Sequence, residues 1–183
     1  QGTGKIIKNK ASGSDSMGMI SKEELTDIKI PAGVSEGMQL KIKNQGNHAP
    51  YDGIPGDLLV IIEEKLDDQL IREGINLHYD LYIGISEAIL GCNVEIPTVN
   101  GKAKINIPNG VQGGKILRLK SKGIPSIESH ERGDLLVHIN IWTPQKITKD
   151  QEKFFKKHKE SSEFTPQPKN EKSFFQKVKE MFN

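Results

Sequence analysis

The sequence contains a single cysteine in 183 residues. Cys92 has no second thiol to pair with, so an internal disulfide is excluded and a reducing compartment, the cytoplasm, is expected. Nor is there a histidine pattern around it, so Cys92 reads as a small core-filling residue rather than a metal ligand or nucleophile. No apolar run approaches the roughly 20 residues that span a bilayer. The formal charge is only +2, which makes no case for a nucleic-acid or membrane partner. Apolar residues are scarce at 34%, against 27% charged, so thin cores in one or two domains are expected rather than one large globule. An initiator methionine and a signal peptide are both missing, and the chain reads as a fragment. The glycine-rich start, Gln1-Gly2-Thr3-Gly4, lacks the preceding strand and the Lys-Ser/Thr pair of a phosphate-binding loop. Residues 1–22 can bury little and read as a mobile arm.

What the sequence does have is an internal repetition. Ile30-Pro31-Ala32-Gly33-Val34 returns as Ile107-Pro108-Asn109-Gly110-Val111, and Gly56-Asp57-Leu58-Leu59-Val60 returns as Gly133-Asp134-Leu135-Leu136-Val137. Every match falls at an offset of 77, and 13 of 31 aligned positions are identical. One register held across a loop indicates duplication of a small domain, not a solenoid repeat.

Alternation of apolar and polar residues predicts the strands. Thr26, Ile28 and Ile30 alternate with Asp27 and Lys29 up to Pro31, where a ladder must end. Leu40-Lys41-Ile42-Lys43 and its copy Leu117-Arg118-Leu119-Lys120 alternate likewise. Leu58 to Ile62 is a continuous apolar run, predicting a strand covered on both faces. In the second copy Leu77, Tyr79, Leu81 and Ile83 define a strand. Ser86 to Gly91 then predicts one helical turn, with Ser86 as N-cap. Asn100-Gly101 marks a hairpin between 93–96 and 103–107. The first copy has no counterpart of these opening elements, so it is expected to be the downstream half of a module. Asp57 and Asp134 hold equivalent places after a glycine and are read as caps of their own turns, not as acid/base catalysts.

The tail, 146–183, carries ten lysines against six acids, leaving the rest of the chain net acidic. Thr148 and Gln151 form a capping box that opens a helix bearing Phe154, Phe155 and His158. Beyond Thr165-Pro166-Gln167-Pro168, a second helix is predicted with Phe174, Phe175, Val178, Met181 and Phe182 on one stripe. Such a helix can self-associate, pack on its own domain or lie on a membrane surface; self-association is the favoured reading.

These residues resemble the C-terminal region of DnaJ, the J-domain co-chaperone of the zinc-module type. The resemblance rests on Ile-Pro-Ala-Gly-Val-Ser-Glu-Gly at 30–37, Gly-Ile-Pro-Gly-Asp-Leu-Leu-Val at 53–60, Ile-Arg-Glu-Gly at 71–74, Asp-Leu-Tyr at 80–82 and Ala-Ile-Leu-Gly at 88–91. It continues through Ile-Pro-Thr-Val-Asn-Gly at 96–101, Leu-Arg-Leu-Lys-Ser-Lys-Gly-Ile-Pro at 117–125 and Arg-Gly-Asp-Leu-Leu-Val at 132–137.

The resemblance implies a mainly β fold: two tandem β-sandwich modules, the first incomplete, and a short helical dimerisation element. The implied divisions are 1–22 as a remnant of the zinc-module region, 23–72 as part of the first module, 73–145 as the second, and 146–183 as the dimerisation tail. The family's zinc module of C-x-x-C-x-G-x-G repeats interrupts the first module. Gln1-Gly2-Thr3-Gly4 fits the end of one repeat, but Ala11 and Ser14 stand at both cysteine positions of the next. No zinc or other cofactor is therefore expected in this chain, although full-length relatives are expected to hold zinc.

The J domain with its His-Pro-Asp triplet is not in this sequence. The implied function is non-enzymatic: holding extended apolar segments of unfolded proteins, dimerising, and in the full protein delivering clients to a DnaK-type chaperone. Client-binding positions carried over are Thr26, Ile28 and Ile30 on one groove wall and Leu58, Val60 and Ile62 on the other. Dimerisation falls to Phe154, Phe155, Phe174, Phe175, Val178, Met181 and Phe182. The rival readings are a β-repeat adaptor for a folded partner and a hydrolase using Asp57 or Asp134.

Overall fold

The computed structural model describes residues 25–47 and 54–166. It is mainly β, and the chain divides into two compact units, Gln1–Trp142 and Thr143–Asn183. In the first unit, β1 (Gln39–Ile42) pairs antiparallel with β2 (Leu58–Ile61), setting Leu40 opposite Val60 and Ile42 opposite Leu58. A four-stranded sheet follows in the order β3-β4-β8-β7, built from Leu70–Glu73, Asn76–Gly84, Leu135–Trp142 and Ile116–Leu119. The sheet thus begins at Leu70, on the first-copy side of the implied division. Its central pair, β4 and β8, is parallel, from Leu77 opposite Leu135 to Gly84 opposite Trp142. The hairpin β5 (Cys92–Thr98) and β6 (Gly101–Ile107) forms a third sheet.

The core lies between the four-stranded sheet and this hairpin. Leu77, Leu81 and Ile83 from β4 and Leu135, Val137 and Ile139 from β8 form one buried cluster with Ile96, Ile107, Val111 and Ala88. The alternation along β4 sends the first three inward, as period-two patterning requires. The hairpin turn is Val99-Asn100, since Thr98 pairs with Gly101. The turn falls one residue before the expected pair.

The repetition at 77 persists in backbone detail. Gly37 N–H donates to Ile62 O at 2.9 Å, and Gly114 N–H to Ile139 O at 2.9 Å. Gly46 N–H donates to Gly56 O at 2.8 Å, and Gly123 N–H to Gly133 O at 2.8 Å. Among the described residues the two non-glycine residues with positive φ, Asn44 at 59° and Ser121 at 56°, are also 77 apart.

Four local expectations need correction. Residues 25–31 are extended with alternating burial but form no strand, because no described residue offers them a ladder. The β2 run is covered on one face only: Leu58 and Val60 are half-buried, while Leu59 and Ile61 are exposed. The short helix α1 (Ile85–Leu90) is capped by Gly84 rather than Ser86. Glu87 reaches back to accept the Gly84 N–H at 2.8 Å, and that bond selects the earlier residue. Asp57 and Asp134 cap not their own turns but the turns across from them.

Among the described residues, Gly33 and Arg72 make contacts that join the copies within this unit. Gly33, at φ 98°, packs so close to Pro125 that a Cβ would lie 2.1 Å from its carbonyl oxygen. Arg72 of β3 donates to Val34 O at 2.8 Å and Gly33 O at 3.0 Å, and meets Glu64 at 3.2 Å.

In the second unit α2 (Lys149–His158) starts at the expected capping box. Gln151 N–H donates to Thr148 Oγ1 at 3.3 Å, and Thr148 N–H to Gln151 Oε1 at 2.9 Å. The expectations for residues 1–22 and the second tail helix lie outside the described residues. No helix among the described residues is long and apolar enough to cross a membrane.

Candidate functional site

The candidate client surface is built on β1, β2 and the extended segment before them. Antiparallel pairing places Leu40 beside Val60 and Ile42 beside Leu58, all four half-buried on one face. Thr26, Ile28 and Ile30 are half-buried in the extended segment. A shallow cleft of about 340 Å³ runs between Asp27–Lys29 with Pro31 and the whole of β1. Ile28 thus lines the cleft, and its opposite wall is β1 rather than β2. Leu58, Val60 and Ile62 do not line it; Leu58 and Val60 lie beside Ile42 and Leu40 in the neighbouring strand. Leu40 and Ile42 were not among the carried-over positions, although their copies Leu117 and Leu119 marked them as inward-facing.

The duplication gives this face a fully covered counterpart. Leu58, Val60 and Ile62 align with Leu135, Val137 and Ile139, each 0% exposed. In the second copy the aliphatic side chains of the β5–β6 hairpin belong to the same buried cluster. In the first copy no described residue completes such a cluster.

The acids have a different task. Asp57 accepts the Asn44 N–H at 3.0 Å and meets Lys41 at 2.8 Å. Asp134 accepts the Ser121 N–H at 2.7 Å and binds Arg118. Both tie the end of one strand to the turn of its neighbour. The Lys41 bond, then the Asn44 N–H, lowers the Asp57 carboxyl below 3.8. For Asp134 the Ser121 N–H acts first and Arg118 second. A carboxylate held this acidic, with its oxygens occupied, is a poor general base near neutral pH. A second, larger cleft of about 410 Å³ is lined by residues 90–93 and 106–109. Its one ionisable group is Cys92, whose thiol is pushed up by burial and by Glu87, which weakens it as a nucleophile.

Of the carried-over dimerisation residues, Phe154 is half exposed and Phe155 partly covered, their rings 5.6 Å apart edge to face. Phe164, which the sequence reading passed over, folds back so that its ring lies 6.4 Å from Phe154 and 6.1 Å from His158. Phe174, Phe175, Val178, Met181 and Phe182 lie outside the described residues. Ala11 and Ser14 also lie outside them, and neither side chain can supply the thiolates of a structural zinc site. Among the described residues no three His, Cys, Asp or Glu side chains converge as metal ligands.

Two copies of one β arrangement, tied at the same place by the same acid, define a protein of tandem β-sandwich-like modules with a short helical C-terminal element. Residues 1–144 match the family model described as the DnaJ C terminal domain. The chain belongs to that family. It is 42% identical over 176 residues to the chaperone protein DnaJ of Bacteroides thetaiotaomicron, covering 96% of this chain and 44% of that protein. Against the chaperone protein DnaJ of Porphyromonas gingivalis it is 41% identical over 178 residues, 97% of this chain and 46% of the other. Against that of Salinibacter ruber it is 36% identical over 182 residues, 98% and 47%. The chain thus spans a little under half the length of these curated relatives.

Proposed function

We propose that this chain is the client-holding and self-associating part of a co-chaperone and carries no catalytic site. It takes extended apolar segments of unfolded proteins on the face formed by Ile28, Leu58, Val60 and their neighbours. In the full protein it passes them to a DnaK-type chaperone. The observation that carries this reading is the half-open face of β1 and β2. Where the second copy covers these positions with its own aliphatic hairpin, the first copy leaves them for an extended segment of similar chemistry. The exposed aromatic cluster of α2, with the residues of the second predicted tail helix, serves as the dimerisation element. Two clefts held in one dimer raise the effective concentration on a long client.

The test is suppression of aggregation of a denatured client, with direct anisotropy of a labelled apolar peptide beside it. The wild-type chain suppresses and binds, while Val60→Asp loses both with its far-UV circular dichroism unchanged. Absence of both in the wild type overturns client holding. Loss in a Leu59→Ser/Ile61→Ser variant with Val60→Asp intact moves the site to the opposite face of β2. For the tail, a chain ending at Pro144 sediments as a monomer where the full chain sediments as a dimer. Equal sedimentation overturns the dimer assignment.

A further inference from the structure

The outer face of the four-stranded sheet carries a polar constellation that client holding does not use. His78 on β4 and His138 on β8 point at each other, with His78 Nδ1 2.9 Å from His138 Nε2. On its far side His78 Nε2 lies 2.8 Å from a Glu73 carboxylate oxygen. A carboxylate only accepts, so His78 Nε2–H donates to Glu73, and Nδ1 in turn accepts the His138 Nε2–H. That is the arrangement by which a carboxylate orients an imidazole toward a metal.

We propose that His78 Nδ1 and His138 Nε2 form a surface site for a divalent transition-metal ion, with Glu73 as the orienting carboxylate. Two nitrogens at about 2.1 Å from one ion and at right angles to each other are about 3.0 Å apart. The two nitrogens, now 2.9 Å apart in their hydrogen bond, need separate little to reach that spacing, which is the cis spacing of the tetragonal ions copper(II) and nickel(II). Both rings are half-buried, and their centroids lie 5.2 Å apart, so the two nitrogens meet end to end; each ring turns toward a common point as the ion replaces their hydrogen bond. On binding, His138 moves its proton from Nε2 to Nδ1 through solvent, and both rings coordinate as neutral imidazoles. Asp80, the register partner of His138, is engaged with Asn140 at 3.2 Å. No third protein ligand converges among the described residues, so water fills the remaining positions. Because β4 and β8 are the central pair, the ion cross-links the middle of the module.

The experiment is titration of the untagged 183-residue chain with copper(II) or nickel(II) chloride by calorimetry, with electron paramagnetic resonance of the copper form. One ion per chain is expected, with hyperfine coupling to two imidazole nitrogens. At 100-fold excess over Kd the melting temperature rises by about 5–10 °C. His78→Gln and His138→Gln each weaken binding more than about 100-fold, Glu73→Gln weakens it by about 10–100-fold, and His130→Gln changes nothing. No binding at about 1 mM ion, or a copper spectrum without two-imidazole coupling, overturns the site. So does full affinity in the His78→Gln/His138→Gln double variant. The wild-type spectrum decides even if a variant fails to fold.

Discussion

Leu58, Leu59, Val60, Ile61 and Ile62 align with Leu135, Leu136, Val137, His138 and Ile139, and nearly the same side chains meet two environments. In the second copy the inward three are fully buried under a hairpin and held beside a parallel neighbour. In the first copy they are half-covered, and β1 is their only strand neighbour among the described residues. The isolated sequence of a strand therefore does not decide whether it is core or surface. Its neighbours do, and the second copy serves as a built-in control for the first.

The glycines before each acid should separate the copies most. A Cβ on Gly133 would lie 2.0 Å from Ile75 O, whereas on Gly56 the nearest atom is 3.8 Å away. Gly133→Ala is expected to cost about 2–4 kcal/mol in urea unfolding. Gly56→Ala is expected to stay within about 0.5 kcal/mol, and comparable losses would break the comparison. Next come the valines: Val137→Ala should cost about 2–3 kcal/mol and Val60→Ala less than about 1. Arg72→Ala removes the bonds to Gly33 and Val34 that join the copies and should cost about 1–3 kcal/mol. It should also broaden the small-angle scattering profile of the chain.

The smallest effect is electrostatic. Both carboxyls lie below their ordinary 3.8 when folded, so the unfolded chain takes up protons first. Their stabilisation is complete above about pH 4 and is lost as pH falls through the folded values. An Asp57→Asn/Asp134→Asn variant should therefore show a flatter acid limb in unfolding midpoint against pH. An unchanged limb would show that the ties contribute nothing.

The duplication, the hairpin and the start of α2 were legible because they are written in local signals: glycine spacing, alternation and a capping box. What escaped depends on partners far along the chain. Residues 25–31 alternate as a strand should, but a ladder needs a neighbour that alternation cannot announce. Asp134 was assigned a structural task, yet its partner Ser121 lies in the turn after β7, 13 residues away. His78 and His138 are 60 residues apart and meet only because β4 and β8 run parallel. Phe164 follows the helix end, where no periodicity flags it, and turns back through bonds from Phe164 and Thr165 N–H to Ser161 O. In the candidate cleft, Ile28 was legible, but β1 as its facing wall was not.

The parallel pairing of β4 with β8 also imposes a timetable during synthesis. Leu77 and its partner Leu135 are 58 residues apart. At roughly 5–20 residues per second, β4 leaves the ribosome about 3–12 s before the strand that will cover its edge. For that interval β4 has only β3 paired along one edge, and Leu77, Leu81 and Ile83 wait without the β8 side chains that complete their core. A newly made copy of this chain thus passes through the kind of state that its completed neighbours are proposed to hold.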